Sequence, residues 1–224
     1  MKRVSIAIDG PAGAGKSSVA KILARRMDYT YLDTGAMYRA VTWESLRRGI
    51  TEEKDIVDMA EHLSMTVAPG EERMRVFLGG EEVTDHLRTA EVSAAVSRVS
   101  AIPEVRTVMV ALQRKLAAEG GTVLDGRDIG TVVLPNADVK IFLTASPRTR
   151  ALRRYKELGG EKAGLSVDEI EEDIRKRDLL DSTRAASPLI PAADAVHLDN
   201  SEMTLEETAE AIMKICREKA GDEA

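Results

Sequence analysis

The chain of 224 residues reads as an α/β protein built on a parallel central sheet, and three observations predict that class. Short apolar runs at Val4–Ile8, Val123–Leu124 and Val139–Leu143 are each followed by a turn and then by helical spacing. Strands buried on both faces need such unbroken runs. Strands alternating with helices imply right-handed crossovers that cover both faces of a sheet. Finally, 43% hydrophobic and 31% charged residues make a globular chain and not a disordered one.

Each element can be justified in order. Val4–Ile8 ends at Asp9-Gly10-Pro11, so it is a short strand that stops in a turn. Lys16–Met27 places Val19, Ile22, Leu23 and Met27 on one stripe of a helix. Tyr29–Leu32 predicts a second strand and Ala36–Arg47 a second helix. Between Met65 and Val83 the residues alternate through Arg73-Met74-Arg75-Val76-Phe77-Leu78 and reach Gly79-Gly80. That pattern predicts a small antiparallel excursion with a Gly-Gly turn. Helical patterns flank it, so about 39–104 is expected to be an insertion in a single domain, with the core at 1–38, 105–150 and 167–224. Leu158–Leu165 carries Gly159, Gly160 and Gly164 amid charges, after a helix opening at Ser146-Pro147. A capping box, Ser166-Val167-Asp168-Glu169, follows. The stretch from about 151 to 166 is therefore either a lid or a plain surface loop. Thr204-Leu205-Glu206-Glu207 opens the last helix in the same way.

The bulk numbers exclude several functions. Aromatics are 3% and the net charge is −6, which disfavours a stacking surface or a polyanionic partner, so no nucleic-acid polymer is expected. The one cysteine, Cys216, lies in a helical pattern without a neighbouring cysteine or histidine and reads as a buried side chain. No apolar run approaches the ~20 residues of a membrane span. A cytoplasmic monomer acting on small molecules, without a membrane partner, is the expectation.

The strongest motif is Gly10-Pro11-Ala12-Gly13-Ala14-Gly15-Lys16-Ser17, with Ser18 completing the first turn of the helix. It fits G-x-x-x-x-G-K-[ST] at every fixed position and sits between a buried strand and an amphipathic helix. Glycines let backbone N–H groups turn inward onto phosphate oxygens, and the helix start adds its positive dipole end. Lys16 would reach the β- and γ-phosphates and Ser17 would ligate Mg²⁺. The fold class is thus a P-loop NTPase-type three-layer fold. Neither Asn136 nor Asn200 lies in an Asn-Lys-x-Asp guanine motif, so ATP is the expected phosphoryl donor.

Three further motifs are compact: Asp33-Thr34-Gly35-Ala36-Met37-Tyr38-Arg39, Asp125-Gly126-Arg127-Asp128, and Arg177-Asp178-Leu179-Leu180-Asp181-Ser182-Thr183-Arg184. The first two follow predicted strands, at the strand ends where open α/β sheets bind ligands. With Ile129-Gly130-Thr131-Val132-Val133 and Ser187-Pro188-Leu189-Ile190-Pro191-Ala192-Ala193-Asp194-Ala195, these motifs make the chain resemble the bacterial cytidylate kinases over essentially its whole length. The resemblance implies phosphorylation of CMP and dCMP, with the acceptor between the core and a nucleoside-monophosphate-binding insertion. It places Thr34, Arg39, Arg106, Arg127 and Arg177 around the acceptor phosphate or sugar, and Asp181 on the sugar hydroxyls. Ser97, Asp128 and Arg184 would read cytosine. The chemistry agrees, since a carboxylate accepts from the exocyclic amino group of cytosine, whereas uracil would leave buried polar groups unpaired. The competing readings are a kinase for another small anion, such as UMP, dTMP or shikimate, and a non-catalytic nucleotide sensor.

The acceptor is a phosphate monoester with a second pKa of ~6, already mostly a dianion at neutral pH. No general base is needed, and His62, His86 and His197 lie outside every motif. Charge neutralisation and alignment then supply the catalysis, and Lys16, Arg127, Arg153 and Arg177 form the expected catalytic set. Arg153, with Arg150 as a second candidate, would reach the transferring phosphate from the arginine-rich helix when a lid closes. Asp125 would act at the metal beside Ser17, or else pair with Lys16 or Arg127.

Overall fold

The computed structural model describes residues 3–71 and 73–220. The chain forms two compact units, residues 1–29 with 120–224, and residues 30–119. In chain order the strands are β1 (Ser5–Asp9), β2 (Thr30–Asp33), β3 (Met65–Ala68), β4 (Arg75–Leu78), β5 (Glu81–Glu82), β6 (Thr122–Gly126), β7 (Val139–Thr144) and β8 (Val196–Asp199). The helices are α1 (Lys16–Met27), α2 (Thr34–Arg47), α3 (Glu53–Glu61), α4 (Ala90–Val99), α5 (Pro103–Ala117), α6 (Pro147–Glu157), α7 (Val167–Thr183) and α8 (Leu205–Ala220). The larger sheet has the order β2-β6-β1-β7-β8, and β3-β4-β5 form a separate sheet. β1 pairs in parallel with β6 and β7, and β7 with β8. Among the described residues no helix is long and apolar enough to cross a membrane.

In the first unit the core is the apolar surface that the runs predict. Ile6, Ala7, Ile8, Val123, Leu124 and Leu143 are fully enclosed, as are Val19, Ala20 and Leu23 of α1 and Ala209 and Ile212 of α8. Cys216 is buried on α8, and burial raises its thiol to about 11. The register brings Ile8 beside Asp125 and Asp9 beside Gly126. The end of β6 therefore opens next to the start of the loop that follows β1. Gly10 has φ +147, and a Cβ there would lie 2.0 Å from the Leu143 carbonyl oxygen of β7. Only glycine lets the chain leave β1 at this point. Gly10→Ala is expected to cost on the order of 3 kcal/mol or more, read as a fall in the midpoint of denaturant unfolding.

In the second unit, β3-β4-β5 is antiparallel with Phe77 opposite Glu82 and Leu78 opposite Glu81. The two-residue turn is Gly79-Gly80, with φ +56 and +89, the pair of positive values that a type I′ hairpin turn requires. Helix α2 starts at Thr34, two residues before the apolar pattern, because Asp33 Oδ1 caps it by accepting from Ala36 N at 2.8 Å. Glu44, nearly enclosed, is held by Arg47 at 2.8 Å and Arg48 at 2.6 Å. Between α6 and α7 the glycine-containing stretch makes one tight turn, Gly160–Ala163, between left-handed Gly159 and Gly164. Both predicted capping boxes are present, at Ser166 with Glu169 and at Thr204 with Glu207.

Candidate active site

The loop between β1 and α1 is tied from outside through its carbonyl oxygens. Ala12 O accepts from Arg150 Nη1 at 3.0 Å, and Ala14 O accepts from Asn200 Nδ2 at 3.0 Å and Arg153 Nη1 at 3.5 Å. Pro11 O accepts from Lys16 Nζ at 2.8 Å. Gly13 and Gly15 have φ +76 and +87, and α1 begins at Lys16 with no side-chain cap on Gly15. The first N–H groups of a helix lack acceptors within it, so Lys16, Ser17 and Ser18 open α1 as an anion-receiving end.

Lys16 is buried, and burial first, with the Arg127 charge second, lowers its ammonium below the ordinary lysine value. Asp125, Asp9 and Asp181 act on it in the opposite direction. Four charged groups from the ends of β1 and β6 and from α7 thus converge on one lysine. Ser17 Oγ donates to Asp125 Oδ2 at 2.8 Å, which puts a hydroxyl and a carboxylate together at the start of α1.

Arg127 Nε donates to Asp181 Oδ2 at 2.8 Å. Burial pushes the Asp181 carboxyl up, but Arg127, Arg177 and Arg184 together bring it below the ordinary carboxylate range. Arg177 is lowered by burial and by Arg127, and its Nε is enclosed without a hydrogen-bond partner. Arg127 and Arg177 thus both act on one carboxylate, Asp181, which is hydrogen-bonded to Arg127. Arg184 Nε donates to Ser187 O at 2.8 Å, while its Nη2 lies 3.9 Å from Asp128 Oδ1. Ser187 is a non-glycine residue in the left-handed region, at φ +49, which costs about 1 kcal/mol. Its carbonyl orients Arg184.

The two arginines proposed for the transferring phosphate have different surroundings. Arg150 is enclosed, gripping both oxygens of Asp178 at 3.1 and 2.6 Å and donating from Nε to Ala145 O at 2.9 Å. It ties α6 to α7 and to the phosphate loop. Arg153 Nη1 donates to Asn200 Oδ1 at 3.1 Å and Nη2 to Asn200 O at 2.7 Å. Its guanidinium thus lies against the loop's outer carbonyl at Ala14.

The second unit carries the remaining residues. Thr34 is the first residue of α2, and the Arg39 guanidinium crosses above Gly35, where a Cβ would stand 3.1 Å from Nη1. Arg106 donates from Nη1 to Ser100 O at 3.0 Å and lies over the Tyr38 ring at 5.1 Å. Ser97, on α4, accepts from Ser100 Oγ at 3.3 Å through its carbonyl. Thr34 and Arg39 are thus carried by α2 and Arg106 by α5, and Tyr38, next to Arg39 in sequence, lies under the Arg106 guanidinium.

Three polar residues of the first unit lie outside the site residues expected from the sequence. Asn200 is fully buried and joins Arg153 to the loop, and nothing in its sequence context marks it. Asp178 lies in a motif, but its partner Arg150 is distant in sequence. Asp9 carries a signal that was available: it is a carboxylate at the end of an apolar strand, hence at a buried position.

The family model for cytidylate kinase matches residues 6–218. A cytidylate kinase of Desulfitobacterium hafniense (strain Y51) is 50% identical over 220 residues, 97% of this chain and 94% of that protein. One of Enterococcus faecalis (strain ATCC 700802 / V583) is 48% identical over 223 residues, 98% of each chain. Among solved structures, an uncharacterized protein from Eubacterium ventriosum ATCC 27560 superposes with a TM-score of 0.52 at 15% identity, over 97% of this chain and 99% of that one, a likeness of fold alone. With its phosphate loop, its paired guanidinium groups and half its residues shared with such relatives, the chain belongs to the cytidylate kinase family.

Proposed function

We infer that the chain transfers the γ-phosphoryl group of ATP to CMP and dCMP, giving CDP and dCDP by direct in-line displacement. The observation that carries the reading is the register of β1 with β6, which puts the Arg127 turn beside the phosphate loop. A donor-phosphate loop and the Arg127 and Arg177 guanidinium groups then share one unit. The Arg127 charge disfavours that of Arg177, and an acceptor phosphate offsets it. Lys16 reaches the β- and γ-phosphates. In the first unit Asp128 and Arg184 read cytosine and Asp181 takes the sugar hydroxyls. In the second unit the family resemblance assigns Ser97 to the base and Thr34, Arg39 and Arg106 to the acceptor phosphate and sugar.

The Ser17 hydroxyl and Asp125 carboxylate, 2.8 Å apart, are hard oxygen donors that suit Mg²⁺, which takes one or two protein oxygens and completes its shell with phosphate and water. When bound, the ion supplies charge neutralisation on the donor phosphates. The chain's own residues do the rest by holding the acceptor dianion in line and excluding water. We read the enzyme as a cytoplasmic monomer that works on small nucleotides.

Arg153 is the better candidate to turn toward the transferring group, because its partners at Asn200 and Ala14 are neutral acceptors whereas Arg150 is held by the Asp178 carboxylate. Arg153→Ala is expected to lower kcat on the order of 10²-fold, the loss of one charge-stabilising donor. An unchanged kcat assigns Arg153 to loop support alone. The reading itself is tested by product analysis: ATP and CMP must give CDP and ADP in equal amounts. ADP without CDP makes the chain an ATPase, and neither product makes it a sensor.

A further inference from the structure

An aspartate at the N-cap of a turn ordinarily accepts from the N–H groups two and three residues ahead. Asp128 stands at that position before the wide turn Ile129–Val133, yet its side chain makes no such bond. The turn is closed by Val132 N and Val133 N on Asp128 O and by Leu134 N on Ile129 O at 2.7 Å. Its leading N–H groups are taken by a residue far away in sequence. Asp9 Oδ1 accepts from Ile129 N and Oδ2 from Gly130 N, both at 2.7 Å. Asp9 is 4% exposed and Asp128 is 4% exposed, so both carboxylates are enclosed at this turn. A side chain added at Gly130 would stand 3.4 Å from Asp9 Oδ2 and 3.2 Å from Lys140 Cδ, which keeps the turn pressed against β1 and β7.

We propose that Asp9 is a positioning residue for substrate recognition: by holding Gly130 N–H at the start of the 129–133 turn, it keeps the Asp128 carboxylate from folding back onto that group and turned to the side where it accepts from the cytosine amino group. The inference rests on the reading that Asp128 recognises the base. It gives the residue preceding the phosphate loop a role at the acceptor. Asparagine at position 9 keeps the volume and one acceptor, but turns an N–H donor toward Gly130 N–H. That peptide group is then left for Asp128 to cap.

The test is a double-mutant cycle with Asp9→Asn and Asp128→Asn, reading kcat/KM for CMP, the CMP-to-UMP ratio, and the Kd of a non-hydrolysable ATP analogue. Asp128→Asn alone is expected to lower the CMP-to-UMP ratio by at least about 10-fold, the scale of a lost buried hydrogen bond to a charged group. Asp9→Asn alone should reproduce most of that loss, since its effect on ATP binding through Lys16, read from the Kd of the analogue, is common to CMP and UMP and cancels in the ratio. Added to Asp128→Asn, it should lower the CMP-to-UMP ratio by less than about 3-fold further, since coupled residues are not additive and independent ones are. Multiplicative losses overturn the proposal, as does an unchanged ratio in Asp9→Asn while Asp128→Asn loses it. If Asp128→Asn leaves the ratio unchanged, the base-reading role fails and the inference with it. Amide exchange in Asp128→Ala needs no change at Asp9: Gly130 N–H should stay as protected as in the parent chain. More than about 10-fold faster exchange would make Asp128 the cap and overturn the proposal.

Discussion

Replacing Lys16 with methionine is expected to lower kcat by at least about 10³-fold, because the side chain neutralises charge where the phosphoryl group leaves. The fold should survive. Lys16 is buried, and burial with the Arg127 charge lowers its ammonium from 10.5 to about 7. A lysine whose folded value is depressed binds its proton less tightly in the folded chain than in the unfolded one. Its contribution to stability is complete above the unfolded value and is lost as pH falls through the folded one. The parent chain should therefore gain stability relative to Lys16→Met as pH rises from about 7 toward 10.5. Thermal midpoints of both chains across that window give the sign directly. A variant that unfolds at every pH would show instead that Lys16 is needed for folding through its bond to Pro11 O.

The second large effect separates two arginines that the sequence treats alike. Arg177→Met should lower kcat/KM for CMP on the order of 10³-fold, through the loss of a charged hydrogen-bond donor to phosphate. It should leave stability unchanged or slightly raised, because the Arg177 Nε is enclosed without a partner and the neighbouring Arg127 opposes its charge. Arg127→Met should lose a comparable factor in activity and also about 3 kcal/mol of stability, since it leaves the Asp181 carboxylate enclosed without its ion-pair partner. Denaturant unfolding of the two variants beside the parent chain measures the contrast. Equal destabilisation by both would mean that Arg177 is a structural ion pair and not an anion-binding group.

The sequence made the first unit's layout legible because its signals are local. Val4–Ile8, Val123–Leu124 and Val139–Leu143 are apolar without interruption, and that pattern has few other uses in a globular chain. Gly79-Gly80 declared its hairpin because two consecutive positive φ values demand such residues. Lys16 and Ser17 were legible because the phosphate loop fixes spacing and chemistry together. The residues proposed for the acceptor could be singled out only through resemblance, since Arg127, Arg177 and Arg184 look from composition like any surface arginines. What stayed hidden depends on contacts distant in sequence. Asn200 meets Arg153 and Ala14 only once β8 lies beside β7. Arg150 could not be told from Arg153 until α7 brought Asp178 to it. The capping of the Ile129 turn by Asp9 requires the pairing of β1 with β6.

In the proposed reaction the cytosine base decides the acceptor, and a comparison of acceptors measures this most directly. CMP, dCMP, UMP, dTMP and shikimate are supplied in turn with ATP and Mg²⁺, and kcat/KM is taken from ADP release coupled to a reporter. CMP and dCMP should each exceed UMP by at least about 10²-fold, the discrimination expected when buried polar groups are left unpaired. UMP, dTMP or shikimate used as well as CMP would contradict the assignment of Asp128 and Arg184 to the base.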